Sequence, residues 1–341
     1  MAITRSYSDA FEIVDYTQEL MKVPNQWGLL QALGVFNTEG VSTPTVTIEE
    51  INKTFGLISD RVRGERNNVG KDQTRKLHAF NVPHFPYDDA IFPRDIQGKI
   101  AYGSRSEAET LDAVRFRKIE RIRMSHASTL EAARAKLMAD GTIYAPNGTV
   151  SADFYTAFGI SRKSVDFALG TGTTNVIGKC EEVIAHIQDN LMTGEIPERI
   201  VGVCSPGFFS ALINHATVKN AYQYYQSESE PLRKRLGARG VGLDGRYRSF
   251  EYGGLLFIEY RGDLGGGALM TANEARFFPV GAYDVFETYF APAEKFDLVN
   301  TIGQEAYLFE YRSAKGDMIE LQSESNFLNI VRRPAVLVRG Y

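Results

Sequence analysis

The sequence predicts an α+β protein organised around one helix of unusual length, and three observations carry that expectation. From Ser106 to Gly141 the chain runs without an internal proline or glycine and repeats apolar residues at helical spacing. Downstream, strand-like and helix-like patterns alternate in short segments. Two other segments, one at the N-terminus and one strongly basic, carry too few apolar anchors to fold back onto a core of their own.

Residues 1–43 hold an amphipathic stretch (Phe11, Val14, Leu20, Met21, Val23), then Pro24, Trp27 and a turn-rich run from Gly34 to Gly40. This pattern predicts an arm that packs against something larger. TVTIEEI, with Val46 and Ile48 alternating, predicts a strand, and the chain returns through LHAFNVPHF. Between them lies RVRGERNNVGKDQTRK, polar and crowded with cations, so the pair should form a long projecting hairpin.

Ser106 and Glu109 have capping-box spacing, and Leu111, Val114, Ile119, Ile122, Leu130, Ala133 and Leu137 follow, predicting one helix of about 30 to 35 residues, on the order of 50 Å long. Acidic residues interleave with Arg115, Arg117, Arg121, Arg123 and Arg134, so these arginines are expected on a solvated or intersubunit face, not on DNA. DGTIYAPNGTV predicts a hairpin, residues 175–193 a second helix, and RIVGVC a buried strand. PGFFSALINHATVKNAYQYYQ predicts one or two helices opened by Ser205-Pro206, and SFEYGGLLFIEYRG one long strand. These make a compact α/β or α+β unit over about 195–285, and the aromatic, β-branched segment from Tyr283 onward, punctuated at Lys315-Gly316-Asp317, should close a sheet.

Composition narrows the function classes. The 341 residues are 43% hydrophobic with a formal net charge of −4, and the excess acid is dispersed, which argues against a protein whose main task is gripping nucleic acid. Cys180 and Cys204 lack ligand spacing and are expected as reduced packing residues. The N-terminus offers no apolar signal region and no window gives eighteen consecutive apolar residues, so neither secretion nor a membrane span is expected.

Chemistry-bearing motifs are thin. LGTGTTNVIGK, with Gly170, Gly172, Gly178 and Lys179, misses the phosphate-loop pattern because Cys180 stands where a hydroxyl is required. Ser205 and Cys204 have no nucleophile elbow or local base, and His78, His84, His126, His186 and His215 show no metal spacing. No catalytic residue, cofactor or metal is therefore expected. The least bland feature is the cation set Arg61, Arg63, Arg66, Lys71, Arg75 and Lys76 against Glu65 and Asp72, a candidate intersubunit contact that would lie across an acidic patch on another copy.

Taken in order, TPTVTIEE, RVRGE, HAFNVPHFPYDDAI, IQGKIAYGS, DGTIY, the FGI at 158–160, SPGFFSALINHATVKNAY, FEYGGLLFIEYRG, ARFFPVG, FETYFAPAEKFDLVNTIGQEAY and RRPAVLV resemble the major capsid proteins of tailed bacteriophages, specifically the lambda-type family called phage capsid protein E. The resemblance covers nearly the whole chain, with FAPAEKFDLVNTIG its most specific segment. It implies a Hong Kong 97-type capsid fold: an N-terminal arm over 1–43, an extended loop over 44–85, a peripheral domain from 86–194 and 286–341 with the spine helix at about 106–140, and an axial domain over 195–285. It further implies hexamers and pentamers in an icosahedral shell around double-stranded DNA, bound without sequence specificity. A scaffolding protein, a portal and often a decoration protein take part, with assembly in the host cytoplasm and residence in the virion.

Some members of the wider fold cross-link a loop lysine to a neighbour's asparagine, for which Lys71 or Lys76 with Asn300 or Asn326 are the available groups. Two other readings share the pattern: a related cage enclosing protein cargo, and an α/β enzyme binding a ligand at strand ends.

Overall fold

The computed structural model describes residues 14–15, 28–51, 75–98, 110–144, 150–191, 196–224, 247–262, 270–282 and 284–341. Its long helix α2 spans Leu111–Asp140, following the short arm helix α1 at Leu29–Ala32. The helix starts later than the Ser106 capping box predicts, because Thr110 takes the cap and accepts a hydrogen bond from the Ala113 amide at 3.2 Å. Gly141 ends it in the left-handed region at φ +69°, and its amide bonds the Leu137 carbonyl.

α2 covers a seven-stranded sheet whose centre is β16, the 13-residue strand Ile319–Val331. β15 (Tyr307–Arg312) pairs with its first half and β14 (Phe286–Phe290) with its second, both antiparallel. β5 (His84–Pro86) and β6 (Asp89–Ile91) pair with β16 as well. β1 (Val14–Asp15) adds to β15, and β2 (Asn37–Gly40) runs parallel to β14, so the arm joins both ends of the sheet. The turn at Lys315-Gly316-Asp317 is as predicted, with Gly316 at φ +71°.

A second sheet has six strands. β10 (Arg199–Cys204) lies between parallel β12 (Leu255–Glu259) and antiparallel β13 (Ala275–Val280). β17 (Val338–Gly340) and β9 (Lys163–Val165) extend it beyond β13. SFEYGGLLFIEYRG is a hairpin, not one strand: β11 (Ser249–Tyr252) turns into β12 through Gly253 and Gly254 at φ +57° and +79°, two successive left-handed residues that reverse the chain. Both faces are covered, which explains the unbroken apolar runs. Helices α4 (Val176–Asn190) and α5 (Pro206–Asn214) close one face over Phe257, Phe277 and Phe250. On the other face Val201, Val203, Ile258 and Phe278 join Ala135, Leu137 and Met138 of α2.

That second cluster continues into Phe286, Leu328 and Ile330, so the C-terminal half of α2 fuses the two sheets into one core. The N-terminal half packs on the seven-stranded sheet, through Val114, Ile119 and Ile122 against Ile91, Leu308 and Leu321. Smaller elements complete the frame: hairpin β7–β8 (Thr142–Tyr144, Val150–Asp153), α3 (Phe154–Phe158) and α6 (Ala216–Tyr224).

Two glycines with similar backbone angles should respond differently to alanine. At Gly316 an added Cβ meets nothing within 4 Å, whereas at Gly253 it would lie 2.8 Å from the Cys180 Cβ. We expect Gly316→Ala to cost about 1 kcal/mol and Gly253→Ala ~2–3 kcal/mol, read as the order of their melting temperatures; equal losses would mean that the Cys180 contact relaxes freely.

Candidate assembly surfaces

The arm is fastened to α2 by two charged residues in its core-facing stripe. Glu131 is 3% exposed, and its Oε1 accepts from the Leu30 amide at 3.0 Å, capping α1 where Gly28 has no side chain to do so. Burial pushes its carboxyl up, opposed by these amides and by Arg134. Arg134 is 2% exposed, which corrects the expectation of a solvated face. Its guanidinium donates to Gln31 and, at 3.1 Å, to Thr288, and it lies over the Phe36 ring. Burial lowers it to about 10, so it stays charged. The neighbouring Leu130 and Ala133 were the only sequence hint that residues 131 and 134 face inward.

The C-terminal end of α2 is held by cations, as its dipole favours. The Ala139 carbonyl accepts from Arg276 Nε at 2.9 Å and from Arg162, and Glu274 balances the charge by pairing Arg276 at 2.6 Å and Arg339.

At the centre of β16 the polar run Ser323–Asn326 is buried, and each member has a partner from another segment. Ser323 donates to the Tyr87 carbonyl, so at 2.9 Å His126 Nε2 must donate to it. Glu324 accepts from the Glu294 amide and Ser325 donates to the Glu305 carbonyl. Asn326 donates to the Pro292 carbonyl at 2.9 Å and meets His84 Nδ1 at 2.7 Å. This use removes Asn326 as a cross-linking group, while Asn300 is exposed.

Those bonds pin the loop between β14 and β15. Its other end is held by the Gly303 amide on the Val41 carbonyl at 3.0 Å, and a Cβ at Gly303 would collide with the Phe290 carbonyl oxygen. The loop turns Ala293 and Leu298 onto Tyr307 and Phe309, yet leaves Phe296, Val299 and Ile302 at 99%, 60% and 72% exposure. Sequence reasoning passed over these three; their spacing in FDLVNTI was the available signal. Beside them a cavity of about 220 Å³ is lined by Asp88, Glu294, Glu324, His84, Lys295 and Gln322 among others.

The predicted hairpin exists at its base. β3 (Thr45–Ile51) and β4 (Arg75–Asn81) pair antiparallel as an isolated two-stranded ribbon. Val46 and Phe80 are buried, and Phe80 packs on Phe154 at 5.3 Å between ring centres. Lys76 is exposed, in register with Glu50, and Arg75 pairs with Ile51. Arg61, Arg63, Arg66 and Lys71 lie outside the described residues.

The remaining candidates for chemistry have structural occupations. Ser205 accepts from the Phe208 and Glu274 amides, and Asn175 from the Gly178 amide, with no group turned toward a ligand. Cys180 and Cys204 are buried free thiols, and burial pushes Cys180 up to about 12. His186 meets the Ala335 carbonyl, His215 the Thr171 carbonyl, and His78 packs on Phe158. Among the described residues no three potential metal ligands cluster, and no helix is long and apolar enough to cross a membrane.

Comparison with known proteins decides what this frame is for. The family model for phage major capsid protein E matches residues 13–341. The chain belongs to the phage major capsid protein E family. It is 48% identical to the major capsid protein of Pseudomonas phage KPP10 over 98% of both chains. It is 28% identical to that of Salmonella phage Felix O1, covering 98% of this chain and 97% of that one. Two solved structures share its fold at 10% identity: a putative capsid protein of an E. coli CFT073 prophage (TM-score 0.61, 96% and 99% covered) and the capsid of cyanophage P-SCSP1u (TM-score 0.54, 94% and 89% covered). The Hong Kong 97-type α+β fold read from the sequence is thus the observed one, and the chain is a shell-forming structural subunit of a phage virion, not an enzyme.

The buried charges have measurable consequences. Burial lowers His126 to about 4, below its unfolded value of 6.5, so between those pH values the unfolded chain binds a proton that the folded one refuses. Stability should therefore fall as pH drops from 6.5 to 4, by up to about 3 kcal/mol, and His126→Gln should flatten that part of the profile relative to wild type; parallel profiles would exclude the histidine. Glu131→Ala should cost ~2–4 kcal/mol and quicken proteolysis ahead of Leu33, with Glu131→Gln intermediate; wild-type cleavage in both would show that the cap does not hold the arm.

Proposed function

We propose that this subunit assembles as hexamers and pentamers into an icosahedral shell that packages double-stranded DNA. A scaffolding protein and a portal take part, and a decoration protein is a further partner. Assembly belongs to the host cytoplasm. The observation that carries the reading is the β3–β4 ribbon. Two strands alone are marginal in water; β3 and β4 form a sheet of their own, with Val46 and Phe80 buried, and residues 61–76 carry six cations against Glu65 and Asp72, which supports a neighbour as their partner. Family membership favours a genome-enclosing shell over a cage for protein cargo.

The proposed division is an arm over 1–43, an extended loop over 44–85, a peripheral domain of 86–194 with 286–341, and an axial domain of 195–285. Shared pairing of β9 and β17 with the six-stranded sheet supports drawing residues 163–191 and 338–341 into the axial unit. In this arrangement Arg61, Arg63, Arg66, Lys71, Arg75 and Lys76 form the intersubunit contact, with guanidinium forks on carboxylates of another copy.

Negative-stain microscopy of the purified chain, alone and with its scaffolding partner, tests the reading: closed shells or rings of five and six subunits are expected, and a small monodisperse particle under all conditions would overturn it. Arg61→Glu with Arg63→Glu should leave a folded, soluble subunit, judged by circular dichroism, that closes no shells. Normal shells from the double variant would remove the basic contact.

A further inference from the structure

We propose that the loop between β14 and β15 is the seat for the basic segment 61–76 of a second copy, with Phe296, Val299 and Ile302 as the apolar ridge that this neighbour covers. The proposal rests on the shell-forming reading above and names the receiving surface that it lacks.

The ridge is costly for an isolated subunit. Phe296 is 99% exposed, Ile302 72% and Val299 60%, and such apolar surface on an ordered segment marks an interface. The order is built in. The Leu298 and Thr301 amides bond the Lys295 and Leu298 carbonyls, the Thr301 hydroxyl bonds the Leu298 carbonyl at 2.7 Å, and the Gln304 amide bonds the Tyr307 hydroxyl at 2.9 Å. Asn300 accepts a left-handed φ of +59° to keep that course. Leu298 anchors the inner side on Tyr307 and Phe309. A loop so fastened holds its three apolar side chains outward from the described residues, where a neighbour can cover them.

Charge selects the occupant. The cavity that begins at Glu294 and Lys295 also presents Asp88, and Asp297 is exposed on the ridge itself; Glu324 at the cavity floor is buried, with His84 at 3.4 Å. Lys295 does not neutralise them outward: its ammonium lies over the Phe309 and Tyr311 rings, 5.4 and 5.2 Å from their centres, and donates to Gln322 at 3.0 Å. The surface is thus apolar along the ridge and acidic beside it. The segment 61–76 is its complement, with six cations against Glu65 and Asp72, and with Val62 and Val69 as the only apolar side chains of real size. Phe296 would supply most of the buried area, and the carboxylates would set the register of the arginines.

Cross-linking tests this directly, because both native cysteines are buried and silent. In the full chain, Asp297→Cys is paired in turn with Arg63→Cys, Arg66→Cys or Val69→Cys, and assembled particles are oxidised and run on a non-reducing gel. The expected result is a ladder of reducible multimers from assembled but not from unassembled protein. In parallel, Phe296→Ser with Ile302→Ser should leave the circular dichroism and melting curve of the subunit unchanged and abolish closed shells. Wild-type assembly is the control that tests the shell-forming reading separately. Closed shells from the ridge variant, or an Asp297→Cys thiol that links only outside 61–76 or to a different polypeptide, would overturn the proposal.

Discussion

The fold depends on a requirement imposed by β16: the polar side chains of Ser323–Asn326 are buried in the middle of a central strand, and a buried polar group without a partner costs a large fraction of a protein's net stability. The partners come from three separate parts of the chain. His126 comes from the spine helix, His84 from β5, and the Pro292 carbonyl, the Glu294 amide and the Glu305 carbonyl from the loop between β14 and β15. Apolar contacts would tolerate small slips of these segments; directional bonds do not. The strand therefore fixes, in one place, the spine, the base of the extended ribbon and the exposed loop.

A second constraint acts at the other end of the spine. Val203 and Phe278 of one sheet and Leu328 and Ile330 of the other share a cluster with Leu137 and Met138, and the Ala139 carbonyl is held by Arg276 from the six-stranded sheet. The two sheets cannot separate there without opening a dry core. Toward the N-terminus, Val114, Ile119 and Ile122 share a cluster with Ile91, Leu308 and Leu321 of the seven-stranded sheet. A rearrangement that leaves this shared core intact has its freedom in the N-terminal half of the spine, which takes no part in joining the sheets.

Much of the frame was legible in the sequence because it follows local rules. The long helix announced itself through apolar spacing and Gly141, the β15–β16 turn through Gly316, and β10 through an apolar run that only a doubly covered strand would carry. The failures share a cause. The helix start depended on which of several polar residues took the cap, and Thr110 did. The hairpin at Gly253-Gly254 was hidden because SFEY and LLFIE, both rich in strand-forming residues, read as one run across the two glycines. Arg134 looked solvated because its partners, Gln31 and Thr288, are more than a hundred residues away in each direction. QSESN reads as surface for the same reason: what makes it interior is distant in sequence.

The surfaces proposed to meet neighbours are harder to read than the core, since such partners are not in the chain's own fold. The basic segment stood out because its six cations far outnumber Glu65 and Asp72, an imbalance that a self-contained loop rarely carries. The ridge did not, because three apolar residues in a loop look like ordinary packing until the backbone shows them facing out. Solved structures at 10% identity share this fold, so most of its side chains can change while the architecture stays. What the fold requires is a stiff spine, a satisfied central strand and segments left incomplete. Incompleteness is the functional property: a subunit that buried Phe296 and neutralised its own hairpin would be more stable alone and would have less to gain from a neighbour.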